Sequence, residues 1–180
     1  MEISLQGIIE IISYEGICLY PYLDSVGVWT IGAGHTASES PDPAKMPKNV
    51  AITMDYAIDL FKSDIKRYSD PLNNALKVSV TQEQFDALTS ITYNIGVGGM
   101  RKSTFIKRIN NGDSVSSVAN AILMWNKPKE IMGRRGKEAR LYSTGQYSNN
   151  GKALVFPVND KSKPVYSKGK EVNVFELLGE

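Results

Sequence analysis

Apolar residues near the start of the chain recur with the spacing of one helical face. Leu5, Ile8, Ile9 and Ile12 follow the i, i+3, i+4, i+7 pattern, and Ser4 stands where an N-cap is expected. Gly16 follows Glu15 where a left-handed C-cap would end that helix. The pattern then changes period. Between residues 17 and 36, Tyr20, Tyr22, Val26, Val28, Trp29, Thr30 and Ile31 are strand formers, punctuated by Pro21, Gly27, Gly32 and Gly34. This predicts a small antiparallel sheet with tight turns. Ser38, Ser40, Pro41, Pro43 and Pro47 mark residues 37–51 as a loop.

The helical period returns at Thr53. Ile58, Phe61, Ile65 and Tyr68 make one stripe, and Pro71 is expected to close that helix. Thr81 and Gln84 form a capping box with Val80 and Phe85 as its hydrophobic staple. The helix it opens carries Phe85, Leu88, Ile91 and Ile95 and is expected to stop at Gly96, Gly98 and Gly99. Shorter helices are predicted over 104–110, capped by Ser103 and Thr104, and over 114–126, with Val115, Val118, Ala119 and Ile122 on one face. A basic helix over 134–143 ends before Gly145. Residues 153–158 and 172–177 then read as two strands joined by a polar stretch. Such a hairpin is marginal in water alone, so it is expected to pack against the helical lobe. The predicted architecture is α+β: a helix, a small antiparallel β lobe (about 17–51), a mainly helical lobe (about 53–145) and a β-like extension (146–180).

Composition narrows the function classes. A chain of 180 residues with 42% apolar residues can bury its own core as a single domain, which excludes disordered and fibrous classes. Cys18 is the only cysteine and His35 the only histidine, so disulfide frameworks, cysteine zinc sites and His-rich metal sites are excluded. No metal and no cofactor are expected. Twenty-one Lys and Arg against 19 Asp and Glu give a net charge of +2, which argues for no particular anionic partner. Glu2 and Glu10 interrupt the apolar start, and no run approaches the length of a membrane span. The chain is therefore expected to be made in the cytoplasm without a signal peptide, as a monomer with no stable membrane association.

The most informative stretch runs from Glu15 to Thr36. It places Glu15 at a helix end, Asp24 in a turn and Thr30 on a strand within sixteen residues. Two carboxylates in different environments suit glycosidic cleavage, one protonated to donate to the leaving oxygen and one ionised to handle water. Glu15 is expected to sit among Ile12, Leu19 and Tyr20, where desolvation favours the protonated form. Asp24, beside Ser25 and Gly27, is expected to find hydroxyl and backbone donors. A Glu at a helix end and an Asp in a turn are also ordinary structural residues, so spacing alone leaves both readings open.

Other residues carry paired readings. His35 has no Ser or Cys nucleophile motif around it, and pairing with an acid is the structural alternative to a catalytic base. Cys18 is read as a small packing residue. Trp29, Tyr20 and Tyr22 either line a sugar groove or build the core of the β lobe. Trp125 reads as core. Lys127, Lys129, Arg134, Arg135, Lys137 and Arg140 make a basic cluster, read as a solvated helix face or a weak attraction to an anionic wall, with nucleic acid a minor alternative.

The segment closely resembles the active-site signature of the phage-type lysozymes, the muramidases of glycoside hydrolase family 24. Glu15, Asp24 and Thr30 fit its Glu, eight residues, Asp or Cys, five residues, Thr pattern without a gap, and Thr30-Ile-Gly-Ala-Gly-His35-Thr36 matches the strand around the threonine. Gln84-Phe85-Asp86-Ala87-Leu88 with Tyr93-Asn94-Ile95-Gly96 looks like the family's central helix and its end. Ser103-Thr104-Phe105, Asn110-Asn111-Gly112, Trp125 and the 134–142 segment follow in family order, so the resemblance spans roughly 5–145. It implies a lysozyme-like fold with the active-site cleft between the two lobes. It also implies hydrolysis of the β-1,4 bond between N-acetylmuramic acid and N-acetylglucosamine in bacterial peptidoglycan. Glu15 would be the general acid, with Asp24 and Thr30 positioning water in an inverting mechanism. Tyr93 and Asn94 would contact substrate at the cleft wall, the Asn94 amide bonding an N-acetyl group, and Trp29 and Tyr22 are further substrate-binding candidates. The implied role is an endolysin that acts in the periplasm or cell wall and depends on a membrane-permeabilising partner such as a holin. The rival readings are a non-catalytic wall-binding or scaffold protein on the same fold, a lytic transglycosylase, and a nucleic-acid binder.

Overall fold

Helix α1 (Leu5–Glu15) forms where the apolar spacing places it. Ser4 Oγ accepts from the Gly7 N–H at 2.9 Å, and Gly16, at φ +75°, closes the helix by donating to the Ile12 carbonyl at 2.8 Å. Burial is wider than the expected stripe, because Ile11 and Glu10 are enclosed along with Ile8, Ile9 and Ile12. The Tyr14 hydroxyl donates to Glu10 Oε1 at 2.8 Å, one partner for a charge that would be costly to bury alone.

The computed structural model describes residues 1–38 and 40–179. The chain divides into two units, one of residues 1–7 with 65–148, the other of residues 8–64 with the chain from 149 onward.

The first unit is helical. It holds the later part of α2 (Met54–Ala75), then α3 (Gln82–Lys102), α4 (Thr104–Asn110), α5 (Val115–Leu123) and α6 (Met132–Thr144). Phe85, Leu88, Ile91, Phe105, Ile122 and Leu141 lie at the centre of its apolar core, where α6 packs on α3 and α5. The Thr81–Gln84 capping box is present in both directions, and Val80 packs on the same core as Phe85. Ser103 caps α4 through the Ile106 N–H.

Two helix ends differ from the expectation. Pro71 does not close α2, which continues to Ala75. The turn beyond the proline is held by Leu72, fully buried, and by the Asn110 side chain, which donates to the Ala75 carbonyl at 2.8 Å and accepts from the Lys77 N–H at 2.8 Å. Gly96 breaks α3 at φ +77°, ψ 160°, but the helix resumes through Gly98 and Gly99, anchored by buried Met100. Bare Gly99 permits the close approach of Ile95 and Trp125, since a Cβ there would stand 3.2 Å from each.

The second unit carries the sheets. Strands β1 (Cys18–Leu23), β2 (Trp29–Gly32) and β3 (His35–Thr36) form an antiparallel sheet in that order, as predicted. Register slips between Cys18↔Gly32 and Tyr22↔Thr30, around Pro21, which has no N–H to give the ladder. Strands β4 (Lys152–Val155) and β5 (Lys170–Asn173) make the expected second hairpin, but each is shorter than predicted. Val174, Phe175 and Leu177 belong to helix α7 (Val174–Leu178), not to a strand. Asn173 switches the period there, its side chain accepting from the Phe175 N–H at 3.1 Å. The extension was expected on the helical lobe. Its observed partners are instead in the β-bearing unit: Ile17 bridges to Val155 in parallel, and Phe156 packs with Cys18 and Tyr22. The elements together are those of an α+β protein.

Candidate active site

Glu15, Asp24 and Thr30 all belong to the β-bearing unit. Glu15 is the last residue of α1, one position before the left-handed Gly16. It is exposed, contrary to the expectation that Ile12, Leu19 and Tyr20 enclose it.

Asp24 opens the turn between β1 and β2. Its N–H donates to the Val28 carbonyl at 3.0 Å, and its carbonyl accepts from Gly27, whose φ of +85° suits a glycine in a tight turn. Its Oδ1 accepts from the Val26 and Val28 N–H groups at 2.9 and 2.8 Å. The expected backbone donors are therefore present, whereas Ser25 supplies none among the described residues. With both turn amides on Oδ1, the other carboxylate oxygen is left as an acceptor at the turn surface.

Thr30 is buried on β2, opposite Tyr22 and Thr36, and its hydroxyl donates to the Val28 carbonyl at 3.1 Å. One residue, Val28, thus ties the two together through the peptide groups on either side of its Cα. The Val28 N–H holds the Asp24 carboxylate, and the Val28 carbonyl holds the Thr30 hydroxyl.

The aromatic candidates separate. Tyr22 takes the core alternative: it is buried, edge-on to Phe156 with ring centroids 5.8 Å apart. Trp29 is half-buried, and the Lys48 ammonium sits 3.9 Å from its ring centroid. His35 takes the structural reading, buried with Nδ1 at 2.9 Å from Asp64 Oδ2 and Nε2 at 2.8 Å from the Pro41 carbonyl. Cys18 is buried and donates to the Tyr20 carbonyl at 3.3 Å.

Tyr93 and Asn94 lie in the helical unit, just before the Gly96 break. Tyr93 is half-buried with its ring edge-on to Tyr68, centroids 5.1 Å apart, and Asn94 is exposed. Arg135 Nη2 donates to Asn94 Oδ1 at 2.7 Å. Behind it is a buried network that the sequence reading missed. Arg134 Nε and the Ser90 hydroxyl donate to Glu138 Oε1 at 3.0 and 2.6 Å. Arg135 Nη1 lies 2.9 Å from Glu138 Oε2, an ion pair without hydrogen-bond alignment. Burial pushes the Glu138 carboxyl up, and Arg135, Arg134 and Ser90 oppose it. Two of the six basic residues read as a surface cluster are thus interior. Their signal was the i, i+3, i+4 relation of Arg134 and Arg135 to Glu138 on one helix.

The phage lysozyme family matches residues 12–140. The chain is 37% identical over 156 residues to an endolysin of Bacillus phage PZA, covering 83% of this chain and 58% of that protein. It is 34% identical over 177 residues to an endolysin of Bacillus phage B103, covering 94% of this chain and 65% of that protein. The chain therefore spans less than two thirds of the length of either relative. Among solved structures, an endolysin from the Escherichia coli O157:H7 phage FAHEc1 superposes with a TM-score of 0.72 at 36% identity, covering 83% of this chain and 98% of that one.

Proposed function

Because the chain belongs to the phage lysozyme family, we propose that it hydrolyses the β-1,4 bond between N-acetylmuramic acid and N-acetylglucosamine in peptidoglycan. Glu15 is the general acid and gives its proton to the leaving glycosidic oxygen. Asp24 and Thr30 position the attacking water, and the free Asp24 carboxylate oxygen accepts the proton that water loses as it bonds to the anomeric carbon. Attack from the face opposite the leaving group inverts that centre.

The observation that carries this reading is the Asp24 turn. Two backbone amides fix one carboxylate oxygen, and Val28, which supplies one of them, accepts from the Thr30 hydroxyl through its carbonyl. Asn94 supports the substrate assignment, because it is exposed, Arg135 occupies its amide oxygen, and its amide donors suit an N-acetyl carbonyl. Tyr93 and Trp29 offer ring faces to pyranose rings in the same proposal. Action on the cell wall, and release through a membrane-permeabilising partner such as a holin, complete the reading of an endolysin.

The test compares the wild-type protein with Glu15→Gln on purified sacculi. The amide cannot donate the proton, so clearing should fall by about 10²–10⁴-fold. Circular dichroism and melting of the variant establish that it is folded. Near-wild-type clearing by the folded variant removes Glu15 as the acid. Mass spectrometry of the released glycan separates hydrolysis, which adds one water, from transglycosylation, which leaves an anhydro product.

A further inference from the structure

We propose that the chain beyond residue 148 is a positioning element for this reaction centre, gripping β1 at its two ends beside Glu15 and Asp24. The inference rests on the assignment of those two residues above.

Strand β1 is an edge strand, paired with β2 on one side only. Its outward backbone groups need other partners. In the middle, the Leu19 carbonyl accepts from the Ile52 N–H at 2.8 Å. At both ends the partner is the C-terminal segment. Ile17, two residues after Glu15, donates to the Leu154 carbonyl at 2.8 Å and accepts from the Phe156 N–H at 3.0 Å. Leu23, one residue before Asp24, donates to the Ser162 carbonyl at 2.7 Å, and Lys163 Nζ reaches the Asp24 carbonyl at 3.3 Å. The segment thus holds the two places where the acid and the water-positioning carboxylate leave the strand.

The gripping loop is itself held in shape. Asn159 Oδ1 accepts from the Lys161 and Lys163 N–H groups at 2.9 and 3.0 Å, and the Asn159 and Lys163 backbones are joined at 2.9 Å. Ser162 takes a left-handed φ of +54°, which turns the chain back and presents its carbonyl to Leu23. On the other side, the Asp24 backbone is bounded by Val28 through its N–H and by Gly27 and Lys163 through its carbonyl. A backbone held from so many directions cannot rotate without breaking several bonds, so the carboxylate it carries keeps one heading. That geometry matters because a displacement of about 1 Å can cost on the order of 10²-fold in rate. Asn159, Ser162 and Lys163 are positioning residues: they touch the Asp24 turn or one another.

The experiment uses the full-length protein and soluble peptidoglycan fragments, with kcat and KM measured separately. The variants are Asn159→Ala with Lys163→Met, Lys163→Met alone, and Asn159→Asp, which keeps the acceptor for both amides. Amide hydrogen exchange at Val26 and Val28 reports on the turn directly. The double variant should lose at least about tenfold in kcat, with KM nearly constant and exchange at Val26 and Val28 accelerated. Lys163→Met should shift both in the same direction by less, and Asn159→Asp should restore kcat. A double variant that turns over at the wild-type rate overturns the proposal, as does Lys163→Met at the wild-type rate if the double variant fails to fold. Asp24→Asn is measured beside them. If it is inactive while the loop variants are fully active, the positioning role alone is wrong. If folded Asp24→Asn is itself active, the underlying assignment of Asp24 has failed and the positioning role falls with it.

Discussion

Cys18 lies three positions from Glu15, yet its surroundings keep it out of chemistry. The side chain is fully buried between Tyr22 and Phe156, and burial pushes its thiol up from 9.0 to about 11. The thiolate is the reactive form, so the native protein should resist iodoacetamide at pH 8 and become labelled only when unfolded. Rapid labelling of the folded protein would contradict the burial. The same shift has a stability sign. The folded state holds this proton more tightly than the unfolded chain, so the contribution is intact below about pH 9 and is lost as pH rises through about 11. A Cys18→Ala variant should therefore show a flatter loss of melting temperature across that alkaline window than the parent, whatever its offset at neutral pH. The single cysteine count foretold the absence of an internal bridge, and its neighbour Tyr22 could be read equally as groove or core. The Tyr22 contact with Phe156, more than 130 residues away in sequence, left no local mark.

At the scale of elements, local signals were readable and nonlocal ones were not. The Thr81 capping box, the Ser103 cap and the left-handed Gly16 and Gly145 depend on residues a few positions apart, and all stand where the sequence puts them. Pro71 and the end of α3 misled because buried Leu72 and Met100 lie in the turns beyond. Local propensity was outweighed by apolar burial of about 1.5–3 kcal/mol for each such side chain. Helix α6 gives the sharpest contrast. Its arginines look like a solvated stripe in a linear reading, but Arg134 and Arg135 converge on Glu138 inside the helical unit. Glu138→Gln leaves two guanidinium groups buried without their counter-charge, which should cost about 3–5 kcal/mol. Urea unfolding measures this, and a loss below about 1 kcal/mol would mean that water reaches the site. The catalytic candidates were legible as a motif. The backbone of Val28, which joins Asp24 to Thr30, was not, because a side chain bonded to backbone leaves no mark on the identity of the residue whose backbone it uses.

At the scale of the molecule, the sheet-bearing unit is made from two stretches that are remote in sequence. Truncation after Ser148 removes β4, β5 and α7, strips Phe156 from Cys18 and Tyr22, and leaves Ile17 and Leu23 without their partners. Losing buried Ala153, Phe156 and Val174 amounts to several kcal/mol, which predicts a fall in melting temperature on the order of 10 °C. Calorimetry run beside a sacculus pull-down checks this. An unchanged melting temperature with lost wall binding would make the segment a targeting element instead. The split construction also sets an order of events during synthesis. Residues 8–64 leave the ribosome early, but the segment that bonds Ile17 and Leu23 is translated only after the whole of 65–148. At roughly 5–20 residues per second the interval is several seconds. Throughout it, the turn bearing Asp24 has no Ser162 or Lys163 against it. A nascent chain therefore carries the proposed Asp24 site without its Ser162 and Lys163 partners until the segment from residue 149 onward has been made.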